Sequence, residues 1–350
     1  MNGSIGKSDP GRFFDDFVPG QTIVHPTPLT LSAGDVSLYR ALTGARHVLC
    51  SSEPFAAANG QGGGVVDPLL VFHTVFGKTV PDISVNAVAN LGYAEGRFLA
   101  PVRVGDTLRA VSEVIGVKAT SSGKTGVVHV RTTGLNQHGE AVLSYVRWVM
   151  VNRVDAGDPA PTPVVPDLAA SVAAEDLPRV EYPHWDFALS GSRWAFEDYA
   201  VGERIDHGAG MAVEEAEHQI ATRLYQNTAK VHFDQHAQAQ GRFGRRLIYG
   251  GVVISIARAL SFNGLGNACQ MLAINAGTHA NPLFAGSTVY AWSQVLERAE
   301  LSPTAGALRL RLVATKDYPC ADFPLRDESG AYQPHVLLDF DHWVAIPRRR

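Results

Sequence analysis

The sequence predicts an α+β chain built twice over, each half an antiparallel sheet with one buried helix packed on it. Three observations carry this. Short matches recur in order at an offset near 182 through the 350 residues, which marks an internal duplication. Each half holds a helix-length apolar stretch, and the one at 247–260 is apolar on every side, as a helix packed all round must be. Runs rich in β-branched and aromatic residues then follow, with turn signals between them. A helix followed by successive strands is the pattern of an α+β unit.

The elements run as follows. Residues 1–11 form a polar, Gly-rich tail. A first unit over 12–153 begins with FFDDFVPGQTIVH (13–25), and AFEDYAVGERIDH (195–207) repeats it. Phe14/Phe196, Asp16/Asp198, Gly20/Gly202, Ile23/Ile205 and His25/His207 coincide. Each lead-in reads as a short strand, followed by a helical stretch (34–43; 214–225) and an irregular segment. The buried helices come next, at about 68–77 and 247–262. At an offset of 181, Pro101, Gly105 and Thr107 pair with Pro282, Gly286 and Thr288, and near the ends Trp148-Val149 matches Trp343-Val344. Strand runs lie at 109–120, 126–136 and 141–151, and TVYAWSQVLERAEL, ALRLRLVATK and HVLLDFDHWVAI repeat them. Between the halves, residues 154–194 form a connection stiffened at its start by Pro159, Pro161, Pro163 and Pro166. It is expected to travel over the surface. The second unit spans 195–350.

Composition excludes several classes. A 45% hydrophobic and 18% charged chain has the balance of an ordinary soluble protein with ample core. A net charge of −4 offers no basic footprint for nucleic acid. No apolar run is long enough to predict a membrane span. Cys50, Cys269 and Cys320 are scattered without a C-x-x-C pair, and together with the lack of a secretory signal they predict reduced thiols in a cytoplasmic protein. The GKT triplets at 77–79 and 123–125 lack the P-loop glycine five residues ahead, where Phe72 and Lys118 stand. The Gly-rich loop at 59–64 has neither the preceding strand nor the spacing of a dinucleotide fingerprint.

Candidate chemistry concentrates in LYQNTAKVHFDQHAQAQGRFGRRLIYGGVVISIARALSFN (224–263), where Tyr225, Asn227, His232, Asp234 and His236 precede the buried helix. Amides at a helix start can face a ligand oxygen. Gly250 and Gly251 there allow either close ligand approach or tight helix packing. His232 can act as acid or base near neutral pH, or be an ordinary hydrogen-bonded loop histidine. Asn227 can orient a water molecule but cannot take its proton. Arg242, Arg245 and Arg246 can hold phosphates or a carboxylate, or form a solvated basic turn. Lys230, Arg46, Arg97 and His73 are weaker candidates for a carboxylate, and His279 reads as a satisfied strand histidine. His232 and His236 have an i, i+4 spacing but no third ligand, so no metal site is expected. At the repeat offset Ala45 and Cys50 stand where the second half has Asn227 and His232. The working site is therefore expected in the second half, with the first half shaping the pocket.

The same stretch resembles the MaoC-type enoyl-CoA hydratases, whose pattern is Asp-x-Asn-Pro-x-His-x-Asp, a Gly-rich turn and the central helix of a hotdog fold. His232 and Asp234 fall on that pattern; Asn227 stands at the catalytic aspartate, and Ala229 and Lys230 replace the Asn-Pro pair. Segments 77–99 and 123–140 are similar to the mesaconyl-CoA hydratases, also called 2-methylmalyl-CoA dehydratases. The resemblance implies a tandem (double) hotdog fold, each half an antiparallel sheet wrapped around a central helix. It implies a hydro-lyase that reversibly hydrates mesaconyl-CoA to 2-methylmalyl-CoA, with His232, Asn227 and Asp234 in catalysis. Arg242, Arg245, Arg246 and Lys230 would hold coenzyme A or a carboxylate, and no redox or metal cofactor is implied. Hydration of another enoyl-CoA, thioester hydrolysis and non-catalytic acyl-CoA binding stay open, as does homo-oligomerisation.

Overall fold

The computed structural model describes residues 7–157 and 159–349. The first six positions of the N-terminal tail, position 158 of the connection and the last position of the second unit lie outside the described residues.

Both halves begin alike for the same physical reason. Asp16 accepts a hydrogen bond from Phe13 N and Asp198 one from Ala195 N, each at 2.8 Å. The closed turn carries Phe14 and Phe196 inward, over Gly126 and Gly306, where a Cβ would stand only 2.2 and 2.3 Å from the ring. The matched histidines then tie each lead-in to its sheet. His25 Nε2 meets Ser112 Oγ and His207 Nε2 meets Ser293 Oγ, both at 2.8 Å.

The first half contributes β1 (Thr22–Thr30), β2 (Ala87–Phe98), β3 (Thr107–Ala119), β4 (Thr125–Leu135) and β5 (Ala141–Asn152). The second contributes β6 (Arg204–Asp206), β7 (Met211–Ala212), β8 (Gln270–His279), β9 (Thr288–Glu300), β10 (Ala305–Lys316) and β11 (Val336–Pro347). Their order is β1-β3-β4-β5-β2-β8-β11-β10-β9-β6, with β7 beside β9. Read from its two ends, the sheet repeats the same connectivity. The halves join where β2 runs antiparallel to β8, Gly96 opposite Ile274 and Arg97 opposite Ala273. A Cβ at Gly96 would come within 2.7 Å of Ile274 Cβ, so the seam depends on that glycine.

Two helices form the inner layer, Pro68–Thr79 on β1 and β3, and Gly250–Leu260 on β9, β10 and β11. One buried cluster unites them, with Leu70, Phe72 and Phe76 of the first and Val252, Val253 and Ile256 of the second. The sheet wraps a central helix twice, which is the α+β architecture the sequence predicts. The second helix starts at Gly250 rather than 247, because its approach is bonded elsewhere. Ile248 N donates to Leu283 O at 3.0 Å and Tyr249 N to His218 Nε2 at 2.9 Å.

The connection between halves does more than cross the surface. Val172, Leu177, Val180 and Tyr182 are buried with Leu272, Ala273, Ala307 and Trp343. Trp343 Nε1 donates to Val172 O at 3.0 Å, and Val172 N to Asn275 Oδ1 at 2.9 Å. On β11 Phe340 faces the helix layer while Trp343 faces the connection, as the period of a strand requires. The segment is thus a third layer over the outer face of the sheet.

Candidate active site

A pocket of ≈ 500 Å³ opens between the halves. Asn227, Lys230, His232, Tyr249, Gly250 and His279 line it from the second half, and Phe76, Tyr93 and Arg147 from the first.

The segment carrying Asn227 and His232 is seated by the first half. Gln226 adopts a φ of 55°, ending helix Glu215–Leu224 with a sharp turn. Tyr225 O lies so close to Gly77 that a Cβ there would be 1.7 Å away. Lys78 Nζ donates to Thr27 O at 2.6 Å and to Gln226 Oε1 at 3.1 Å. The first GKT triplet is therefore a seat for this loop. Asn227 is 1% exposed. Its Oδ1 accepts from Ala229 N at 3.1 Å, while Nδ2 donates to no group among the described residues.

His232 sits on the short helix Lys230–Phe233, and His236 on a separate one, Gln235–Ala239. His232 Nδ1 lies 2.9 Å from Leu247 O. A carbonyl only accepts, so Nδ1 carries the proton and Nε2 keeps its lone pair. Burial pushes its pKa down to about 4 against the opposing pull of that hydrogen bond. At neutral pH the ring is an uncharged base. Tyr249 packs beside it, with ring centroids 5.4 Å apart.

The two helix starts differ in the same place. At the first, Asp67 Oδ1 caps Leu69 N at 2.8 Å and Pro68 has no N–H to satisfy. At the second, Tyr249 stands at the cap without a side-chain hydrogen bond, and Gly250 and Gly251 follow. The first amides of a helix have no partner within it. So the first helix closes its own terminus, whereas the second has no side-chain cap and places Gly250 of its first turn, though not the buried Gly251, on the pocket wall. Both glycines also allow close packing. A Cβ on Gly250 would meet the His279 ring at 2.4 Å, and one on Gly251 the Tyr249 ring at 2.3 Å.

Other candidates fall elsewhere. Asp234 caps Gln235–Ala239, its Oδ1 accepting from Ala237 N at 3.0 Å, and is not in the pocket lining. Arg246 pairs with Glu215. Arg242 and Arg245 are exposed over Phe243 and Phe284, at 5.1 and 4.2 Å. Phe243 itself lines the pocket, as does the exposed Lys230. Arg97 pairs with Asp176, Arg46 lies over Phe262, and His73 is bonded to Ser255. No Asp or Glu lines the pocket among the described residues.

The profile of the mesaconyl-CoA hydratase family matches residues 5–320. The chain belongs to the mesaconyl-CoA hydratase family. It is 60% identical over 346 residues to a mesaconyl-CoA hydratase of Cereibacter sphaeroides, covering 98% of this chain and all (100%) of that one. It is 57% identical over 348 residues to a beta-methylmalyl-CoA dehydratase of Chloroflexus aurantiacus, covering 98% and 99%. A solved MaoC domain protein from Chloroflexus aurantiacus superposes with a TM-score of 0.97 at 56% identity, over 99% of this chain and 100% of that one. A Mycobacterium tuberculosis protein described as a double hotdog gives 0.77 at 27% identity, over 97% and 99%. The wrapped sheet of this mesaconyl-CoA hydratase family member is accordingly the double hotdog.

In this family member a second cavity of ≈ 500 Å³ occupies the repeat-equivalent place, lined by Cys50, Pro68 and Phe98. There Cys50 stands for His232 and Pro68 for Gly250. His279, the last residue of β8, is the hydrogen-bonded strand histidine the sequence suggests, and it also lines the pocket: its Nε2 lies 3.2 Å from Tyr93 OH across the pocket wall, and burial pushes its pKa down to about 4. One pocket residue escapes the sequence reading. Arg147 was not singled out. The signal was present, since it interrupts the inward apolar register Leu143, Tyr145, Val149, Val151 of β5.

Proposed function

We propose that this chain adds water to the double bond of mesaconyl-CoA and, in the opposite direction, dehydrates 2-methylmalyl-CoA. One observation carries the reading: a neutral His232 with its Nε2 lone pair available shares a pocket with the uncapped helix start at Gly250. The names of the relatives at 57% and 60% identity support the substrate class.

His232 Nε2 takes a proton from the water as its oxygen adds to the β-carbon. Asn227 Nδ2 donates to that oxygen and aims the proton at the imidazole. The π electrons move to the α-carbon, and the thioester oxygen gains the charge that the helix start at Gly250 stabilises. His232 then returns its proton to the α-carbon. One carbon–oxygen and one carbon–hydrogen bond form, one π bond and one O–H bond of the water break, and there is no net oxidation or reduction, so no redox cofactor is required. With no carboxylate on the pocket wall, one histidine serves as base and then acid. Asp234 acts as a positioning residue, fixing the short helix that follows His232.

Lys230, Arg242 and Arg245, at the rim, are suited to the phosphates of coenzyme A, and Arg246 orders the turn through Glu215. Residues 195–350 supply the chemistry, 12–153 the opposing wall, and 154–194 the outer brace. Among the described residues no helix is long and apolar enough to cross a membrane. A cytoplasmic setting is the reading that three scattered cysteines without a C-x-x-C pair support.

The test is incubation with mesaconyl-CoA while following the enoyl-thioester absorbance. Loss of absorbance without release of coenzyme A is expected. Free coenzyme A would favour thioester hydrolysis, and binding without turnover a non-catalytic acyl-CoA protein.

A further inference from the structure

Arg147 sits in the middle of β5, opposite Tyr93 of β2, and is 0% exposed. Its Nη2 donates to Thr79 Oγ1 and Ser84 Oγ, both at 2.9 Å, and the guanidinium lies 4.4 Å above the Phe76 ring. Its Nε has no partner. No carboxylate pairs with it among the described residues, and the titratable groups around it are the buried, un-ionised phenols of Tyr145, Tyr93 and Tyr249. A buried cation without an anion carries a large desolvation cost.

Arg258, at the repeat position of Phe76, shows how this fold otherwise settles a buried guanidinium. It is bonded to His47 Nε2 at 2.8 Å, Ser261 Oγ at 2.9 Å and the carbonyls of Ala268 and Cys269. Arg147 has two hydroxyls and a ring. It also lines the cavity that holds His232. Tyr249 bridges the two, its ring 5.7 Å from that of Phe76 and 5.4 Å from that of His232. Its hydroxyl is buried without a partner.

We propose that Arg147 binds the free carboxylate of a dicarboxylic acyl thioester and so selects mesaconyl-type substrates over uncharged enoyl-CoA. This rests on the hydratase reading of the same pocket. The planar fork matches a carboxylate, and Tyr249 OH is a second donor beside it. The exposed Arg242, Arg245 and Lys230 are left to coenzyme A.

The experiment compares wild type, Arg147→Met and Arg147→Lys on mesaconyl-CoA and crotonyl-CoA, by kcat/KM and by calorimetric binding, after thermal melts. In Arg147→Met the mesaconyl-to-crotonyl ratio is expected to fall on the order of 10²-fold, the scale of losing a buried charge partner. Arg147→Lys is expected to recover part of it. The Met variant should melt no lower than wild type, because an uncompensated charge has been removed. Should it not fold, the ratio is read from Arg147→Lys, which keeps the charge but not the fork. A folded variant with an unchanged ratio overturns the assignment and leaves the hydratase reading standing. Preferential binding of mesaconyl-CoA through Arg147 without turnover does the reverse.

Discussion

His73 Nε2 lies 2.9 Å from Ser255 Oγ, and the two residues occupy the same position of the repeat, 182 apart. Equivalent positions touch only near the axis that relates two copies, so this contact marks the pseudo-twofold between the central helices. Tyr39 OH donates to the same Ser255 oxygen at 3.1 Å. Divergence of one position to His and the other to Ser made a complementary pair on the axis. Ser255→Ala is expected to strand His73 Nε2 and Tyr39 OH in the core, at a cost of about 1–3 kcal/mol. A urea titration should show a lower midpoint with an unchanged slope.

The same repeat logic separates His232 from Cys50. Both stand at one repeat position and each lines a cavity, but only the imidazole can move a proton at neutral pH. His232→Ala is expected to lower kcat by about 10²–10⁴-fold, the usual worth of general acid–base catalysis. Cys50→Ser should stay within a few-fold of wild type. Full activity in a folded His232→Ala protein would remove the base from the proposed mechanism.

The helix starts give a contrasting pair of substitutions. Asp67→Ala removes the cap of the first central helix and should cost stability of about 1–2 kcal/mol with kcat unchanged. Gly250→Ala pushes a methyl group toward the His279 ring, 2.4 Å away as the structure stands. It should depress kcat far more than the melting temperature. Equal effects of both on kcat would argue against a special role for the second terminus.

What was legible in the sequence followed from periodicity and repetition. The strands at 107–119, 125–135 and 141–152 announce themselves by β-branched runs, and the lead-ins by their matched Phe and Asp. The seam strands β2 and β8 did not. In β2, Gly92 exists because a Cβ would stand 2.3 Å from the Trp148 ring, and Glu95 takes a φ of 51°. Both features erase the alternation that identifies a strand. The site shows the same division. The polar cluster before the helix and its resemblance to the hydratase pattern bring out Asn227 and His232, which the structure sets on the pocket wall, but neither tells which way Asp234 points. Arg147 and His279 reach the pocket through strand pairings distant in sequence, which no local motif encodes.

Buried histidines set the response of the fold to acid. Burial lowers the pKa of His73, His218 and His342 from 6.5 to about 3, and that of His207, His232 and His279 to about 4. Between those values and 6.5 the unfolded chain binds protons that the folded chain does not. Stability therefore rises with pH across this window and is lost as pH falls through it. Above pH 6.5 both states are neutral at these positions and the effect vanishes. Each histidine adds up to about 1.4 kcal/mol per pH unit within its window. The melting temperature is expected to be level from pH 8 to 7 and to drop steeply from about 6.5 toward 4. Since His232 stays neutral down to about pH 4, kcat/KM should hold until the protein unfolds. Parallel melts and initial rates from pH 8 to 4.5 check both halves of this. A melting temperature that climbs as pH falls would contradict it, and an activity lost near pH 6.5 in a folded protein would show that His232 is not shielded from water.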